Sequence, residues 1–154
     1  MSEVFQANVV WPSDSSQKMP PDASYSRSSW LSAPGKGEVP GSSGKAFGGD
    51  PHGYSPEELL LLSLSECHML TFLALAAKRK LGVKRYGDKA TGTLTKNAEG
   101  RTQMAEVILH PHVVFANGTD LDEIQGLHAK AHELCFMSNS VNFPVRVEPI
   151  SESA

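Results

Sequence analysis

One stretch, residues 55–82, restricts this chain more than any other. Ser55-Pro56-Glu57-Glu58 opens it with an N-cap serine, a proline at the first helical position and a glutamate at the third, the pattern of a capping box. Leu59 to Leu62, Leu64, Cys67, Met69, Leu70, Phe72, Leu73 and Leu75 follow, and Lys78-Arg79-Lys80 with Gly82 closes it. Acid at the front and base at the back complement the helix dipole, and Gly82 suits a C-terminal stop. A helix of about 25 residues is about 37 Å long. Apolar residues occupy nearly every face of it, so it is expected inside the protein or its assembly. The span Leu59–Ala77 reaches the lower length limit for crossing a membrane. Glu66 and His68 stand at its centre, however, and an acid there costs about 2.5–3.5 kcal/mol. A buried helix of a soluble, cytoplasmic protein is the expectation.

The flanking segments read as strands and loops. Val4 to Trp11 alternates and stops at Pro12; Ser13 to Ala23 is a Pro- and Ser-rich loop; Tyr25 to Leu31 can be a second strand. The glycine-rich run from Ala33 to Gly53 excludes a helix and leaves short strand-like pieces at Glu38-Val39 and Lys45-Ala46-Phe47. After the helix, Asp88–Asn97 is a strand, Asn97-Ala98-Glu99-Gly100 a turn, and Thr102–Phe115 a returning strand interrupted at Pro111. A second helix begins near Thr119 or Asp120, with Glu123 completing a cap; Ile124, Leu127, Ala131, Leu134 and Cys135 form its apolar stripe. Val141–Val147 is a final strand and residues 152–154 a loose tail. With no repeat and no dividing linker, residues 1–154 are expected as a single α+β domain.

Composition removes several functions. Fourteen Lys+Arg against seventeen Asp+Glu, a net charge of −3, give no electrostatic footprint for nucleic acid or an anionic membrane. Glu3 and Asp14 interrupt the first twenty residues, so a secretory signal is not expected. Two cysteines, Cys67 and Cys135, are too few for a disulfide scaffold and leave three readings: unrelated core residues, a metal pair or a redox couple. Facing helices bring Cα atoms to about 3.4–5.4 Å, which overlaps the disulfide window of about 4.4–6.8 Å. His128, His132 and Cys135 at i, i+4 and i+7 keep a metal reading open, although the histidines equally suit a solvent edge. A reactive Cys67 sets a stiff condition. An ordinary cysteine has a pKa of about 8.5, so a thiol mostly ionised at pH 7 needs about 3.4 kcal/mol of differential stabilisation. A guanidinium about 4 Å away supplies about 4 kcal/mol at an effective dielectric of 20, whereas burial among leucines works against it.

Two segments carry a resemblance. Ser55-Pro56-Glu57-Glu58-Leu59-Leu60 with Ser63-Leu64-Ser65-Glu66-Cys67-His68-Met69-Leu70 resembles the first cysteine motif of the OsmC/Ohr family. Ala131-His132-Glu133-Leu134-Cys135-Phe136-Met137-Ser138-Asn139-Ser140, followed by Val141-Asn142-Phe143-Pro144-Val145, resembles the second. The resemblance implies an OsmC-like α+β fold, with antiparallel sheets around a long central apolar helix in an intertwined homodimer. It implies a thiol peroxidase for organic hydroperoxides, with Cys67 as nucleophile and Cys135 as resolving thiol. It implies an external dithiol, of lipoyl type, that re-reduces the pair, with no metal, flavin or haem required. Arg27, the only arginine before the helix, would stabilise the thiolate, and Glu57 would orient Arg27. Glu66-Cys67-His68-Met69-Leu70 stands closer to the OsmC-like branch than to the organic-hydroperoxide-resistance branch. The alternative is a non-catalytic, stress-associated or small-ligand-binding dimer.

Overall fold

The computed structural model describes residues 2–14, 16, 24–116 and 121–153. They form two compact units, 1–59 and 60–154. The architecture is α+β, as expected.

In the first unit, β1 (Asn8–Val10), β2 (Ser29–Ser32) and β3 (Val39–Gly41) pair antiparallel in the order β1-β2-β3. Strands β1 and β2 are shorter than the sequence suggests. Lys45–Phe47, expected as strand-like, is a turn of 3-10 helix that ends at Gly48 with φ 73°. Glycine is obligatory next door, since a Cβ on Gly49 would stand 1.6 Å from the Ser43 carbonyl oxygen. The capping box is present in full: the Ser55 N–H donates to Glu58 Oε2 at 2.8 Å and the Glu58 N–H to Ser55 Oγ at 3.2 Å.

Helix α1 spans Pro56–Lys78. Lys80, not Gly82, takes the left-handed conformation that ends it, at φ 57°. The Leu81 N–H bonds to the Ala76 carbonyl and the Lys80 N–H to the Ala77 carbonyl, which is the Schellman pattern. Leu81 then packs against the cluster containing Ala76, the apolar contact that accompanies this stop. Within the single chain, α1 buries one stripe at four-residue spacing, Leu64, His68, Phe72 and Ala76, and leaves Leu62 and Leu70 more than half exposed. By length and composition alone α1 could cross a membrane; its stripe instead contributes to both apolar clusters of the second unit.

The second unit holds two mixed sheets: β4 (Val83–Asp88), β7 (Pro111–Phe115) and β9 (Ile150–Ser153) in the order β4-β7-β9, and β5 (Thr91–Lys96), β6 (Thr102–Leu109) and β8 (Val145–Val147) in the order β5-β6-β8. Antiparallel sheets were expected, yet β6–β8 and β7–β9 are parallel pairs. The interruption at Pro111 does more than bend a strand. Proline has no N–H for the ladder, so β6 ends at Leu109 and the chain enters the other sheet as β7. The Asp88 carboxylate holds this crossing by accepting the His110 N–H at 2.7 Å. Residues 152 and 153 belong to β9 and pair with Val114 and Phe115, so the expected loose tail is ordered there; Ala154 lies outside the described residues. The strand expected at Val141–Val147 is confined to Val145–Val147, and β9 follows it.

Helix α2 spans Leu121–Leu134. The cap assigned to Thr119 or Asp120, and most of the 13–23 loop, lie outside the described residues. Ile124, Leu127 and Ala131 of α2 join Phe72, Ala76, Val113 and Phe115 in one buried cluster. Leu64, Val107 and Leu109 centre another, covered by Met104, Phe143 and Val145 among others.

Candidate active site

Cys67 lies near the middle of α1 and is half-buried; Cys135 follows α2 directly and is fully buried. Both are free thiols. The turn after α2 is tied on its carbonyl side: the Cys135 N–H bonds to the His132 carbonyl, the Asn139 N–H to the Cys135 carbonyl, and Ser140 Oγ donates to the Phe136 carbonyl. It carries Cys135 to the neighbourhood of Cys67, close enough for the two thiols to influence one another. Burial pushes the Cys67 thiol above its ordinary value, and Cys135 adds to this. The backbone amides of Met137 and Phe136, aimed at the Cys67 sulfur, pull the other way. Thr71 Oγ1 donates to the Cys67 carbonyl at 2.8 Å, one turn along.

Arg27 and Glu57 belong to the first unit, the cysteines to the second. Arg27 is exposed; its Nη1 donates to Tyr25 Oη at 3.0 Å, and the guanidinium lies 5.0 Å from the Tyr25 ring centroid. Arg27 and Glu57 border opposite ends of the same short 3-10 turn. A Cβ on Gly48 would stand 3.7 Å from Arg27 Nε, and one on Gly44 would stand 3.9 Å from Glu57 Oε2. Among the described residues they do not form an ion pair with each other; the arginine's partner is tyrosine.

Sequence reasoning missed the best-defined polar contact. His68 of α1 and His128 of α2 are 0% and 2% exposed, their Nε2 and Nδ1 atoms 3.2 Å apart. The rings are parallel to within 9° at 5.5 Å, and Phe72 stacks on His128 at 4.2 Å. The sequence leaves His128 open between a metal ligand and a solvent edge; the fold buries it beside Leu127. Its signal was the spacing: His68 lies midway between Leu64 and Phe72 on a four-residue stripe. Burial holds both imidazoles down to about 4. Two neutral rings carry two N–H groups, and only one can lie in the contact. The other falls on His68 Nδ1 or His128 Nε2, both buried without a partner among the described residues, at a cost of about 1–3 kcal/mol.

The metal reading finds no support here: among the described residues no group of three or more His, Cys, Asp or Glu is placed to hold an ion.

Comparison with known proteins follows from this geometry. The family described as OsmC-like protein matches residues 48–149, the segment holding both cysteines and both helices. An OsmC-like protein of unknown function from Vibrio cholerae is 36% identical, with a TM-score of 0.87 over 97% of this chain and 100% of its own. An organic hydroperoxide resistance protein from Legionella pneumophila shares the fold at 21% identity and a TM-score of 0.70, covering 99% of this chain and 98% of its own. One from Elizabethkingia anophelis, with thiocyanate bound, does so at 21% and 0.71, covering 99% and 97%. No curated protein sequence matches the chain. With its two cysteines on the matched segment and its strands and helices in the matching arrangement, the chain belongs to the OsmC-like family.

Proposed function

We propose that this protein is a cysteine-based peroxidase that reduces organic hydroperoxides. The observation that carries the reading is the pair of free thiols, Cys67 and Cys135, brought near one another by α1 and the turn after α2. The Cys67 thiolate attacks the distal peroxide oxygen; the O–O bond breaks, Cys67 becomes a sulfenic acid, and the alkoxide takes a proton to leave as alcohol. The Cys135 sulfur then displaces the hydroxyl, its proton leaving with it as water, and a Cys67–Cys135 disulfide remains. An external dithiol, of lipoyl type in this reading, returns both thiols by exchange. No metal, flavin or haem takes part. The organic hydroperoxide resistance proteins that share the fold support the reaction class.

Arg27 stabilises the Cys67 thiolate in this reading, and Glu57 orients it, which requires Arg27 to leave Tyr25. All of 1–154 acts as one OsmC-like domain in a cytoplasmic homodimer that forms neither a nucleic-acid nor a membrane complex. Leu70, Leu134 and Phe136, at 56%, 41% and 80% exposure, support the dimer. They border an apolar cleft of about 430 Å³ on α1.

One observation favours a second reading, a non-catalytic dimer that binds a small ligand. Burial raises the Cys67 thiol, the opposite of what a nucleophile requires. The deciding experiment compares cumene hydroperoxide with hydrogen peroxide, using a dithiol reductant, in wild type and Cys67→Ser. Turnover that prefers the organic peroxide and disappears in the variant is expected. A folded dimer without turnover, whose Cys67 alkylates slowly below pH 8, selects the binding reading.

A further inference from the structure

We infer that the buried His68–His128 contact positions the two thiols, fixing the register of α1 against α2 so that Cys67 and Cys135 meet. The inference rests on the Cys67–Cys135 couple of the proposed function and adds the device that aligns it.

The placement is specific. His68 is the residue after Cys67, and His128 is seven before Cys135, two helical turns along. His68 is therefore built into the helix that carries Cys67, and His128 into the helix that leads directly to Cys135. Most of what surrounds the contact is apolar: Phe72 and Ala76 from α1, Ile124, Leu127 and Ala131 from α2, Val113 and Phe115 from β7. Apolar surfaces of this kind attract without direction, and such cores lose uniqueness before they lose stability. A hydrogen bond is directional. A slip of one helical residue is about 1.5 Å, enough to break a 3.2 Å contact and to consume most of a disulfide window about 2.4 Å wide.

The arrangement is also poor as a source of stability. One imidazole N–H is buried without a partner among the described residues, whichever tautomers are present. Two leucines would satisfy the same space with no such defect. Buried polar groups that cost stability are best known for setting register, and here the register concerns two cysteines.

The test uses the intact reduced protein and diamide, a diazene that accepts two protons and two electrons from the thiols to become a hydrazine. Closure of the Cys67–Cys135 disulfide is followed by quenched alkylation and mass spectrometry, with urea unfolding alongside. Misplacing reacting groups by about 1 Å can cost about 100-fold, so His128→Leu is expected to slow closure by about tenfold or more. His128→Leu leaves His68 buried without a partner and loses stability on that account. In His68→Leu/His128→Leu, where no imidazole is left, closure is expected to slow by the same factor while the urea midpoint is unchanged or higher, a combination that a merely structural role does not produce. His128→Asn, which keeps a polar atom where Nδ1 stands, is expected to close within about threefold of wild type. Stability is therefore read on the double variant, and His128→Leu serves for the closure rate alone. Closure at the wild-type rate in a folded leucine variant overturns the inference. So does slow closure in equal proportion to lost stability, or no closure in the wild type. A wild type that closes with diamide but turns over no peroxide defeats the peroxidase reading and leaves this one standing.

Discussion

Cys67 and His68 are consecutive on α1, and each meets a residue of α2 or of the turn after it, yet the two meetings are physically opposite. The thiol pair is half-open: Cys67 is partly exposed, and backbone amides offset part of the burial that raises its thiol. The imidazole pair is sealed, under 3% exposed on both sides and roofed by Phe72. One step along a helix turns a side chain by about 100°, and that turn separates a partly exposed thiol from a sealed imidazole. The difference teaches where substitutions should hurt chemistry and where they should hurt the fold.

The largest effect is expected at the seal. Phe72 is fully buried and packs against His128, Tyr86 and Phe115. Phe72→Ala should cost about 3–5 kcal/mol in urea unfolding, through lost burial and the cavity left behind. A loss under about 1 kcal/mol, the size typical of exposed positions, would mean the imidazole pair is not sealed.

Acid should act next, and on the same pair. His68 and His128 fall from the ordinary 6.5 to about 4 in the folded chain. Between those values the unfolded chain binds more protons, so the stability contributed by keeping them neutral is complete above pH 6.5 and is lost as pH falls towards 4. Facing His68, His132 of α2 deepens the depression and Asp88 of β4 opposes it. Urea midpoints measured from pH 7.5 to 4.5 should drop in wild type and drop less in His68→Leu/His128→Leu. Equal slopes would show that other groups control acid sensitivity.

The comparison also explains what the sequence could reveal. The α1 start was legible because a capping box is local: Ser55 and Glu58 bond each other three residues apart. Its end was misplaced because Gly82 looked like the natural stop, while the Schellman bonds form two residues earlier, at Lys80. Strand β4 was missed since its register shifts between Val83 and Arg85, which erases the alternation that marks a strand. The cysteines were legible through their flanking motifs. Arg27 and Glu57 were legible as residue types, but which group each one touches is a property of the folded loop, as Tyr25 shows. The imidazole pair joins positions sixty residues apart, and no local pattern records such a meeting.

A smaller effect tests the helix that carries both pairs. Lys80 holds φ 57°, a conformation that glycine adopts without the Cβ penalty. Lys80→Gly should raise stability by up to about 1 kcal/mol, a gain partly offset by glycine's greater freedom when unfolded. A clear loss would mean that the Lys80 side chain contributes more than its backbone costs.

The smallest effect on the fold is expected at the open pair, where the effect on chemistry is greatest. Cys67→Ser exchanges one atom on a partly exposed side chain whose thiol already touches backbone amides, groups that a hydroxyl also satisfies. Its urea midpoint should therefore shift by no more than about 0.5 kcal/mol, while peroxide turnover falls to background. A serine is a poor nucleophile towards peroxide and cannot enter a disulfide, so the two readouts separate completely at this position. At His128 they separate the other way: closure of the disulfide slows although the first oxidation of Cys67 has lost none of its groups. A Cys67→Ser protein that loses several kcal/mol would place this thiol in the core with its neighbour His68 and collapse the distinction between an open and a sealed pair.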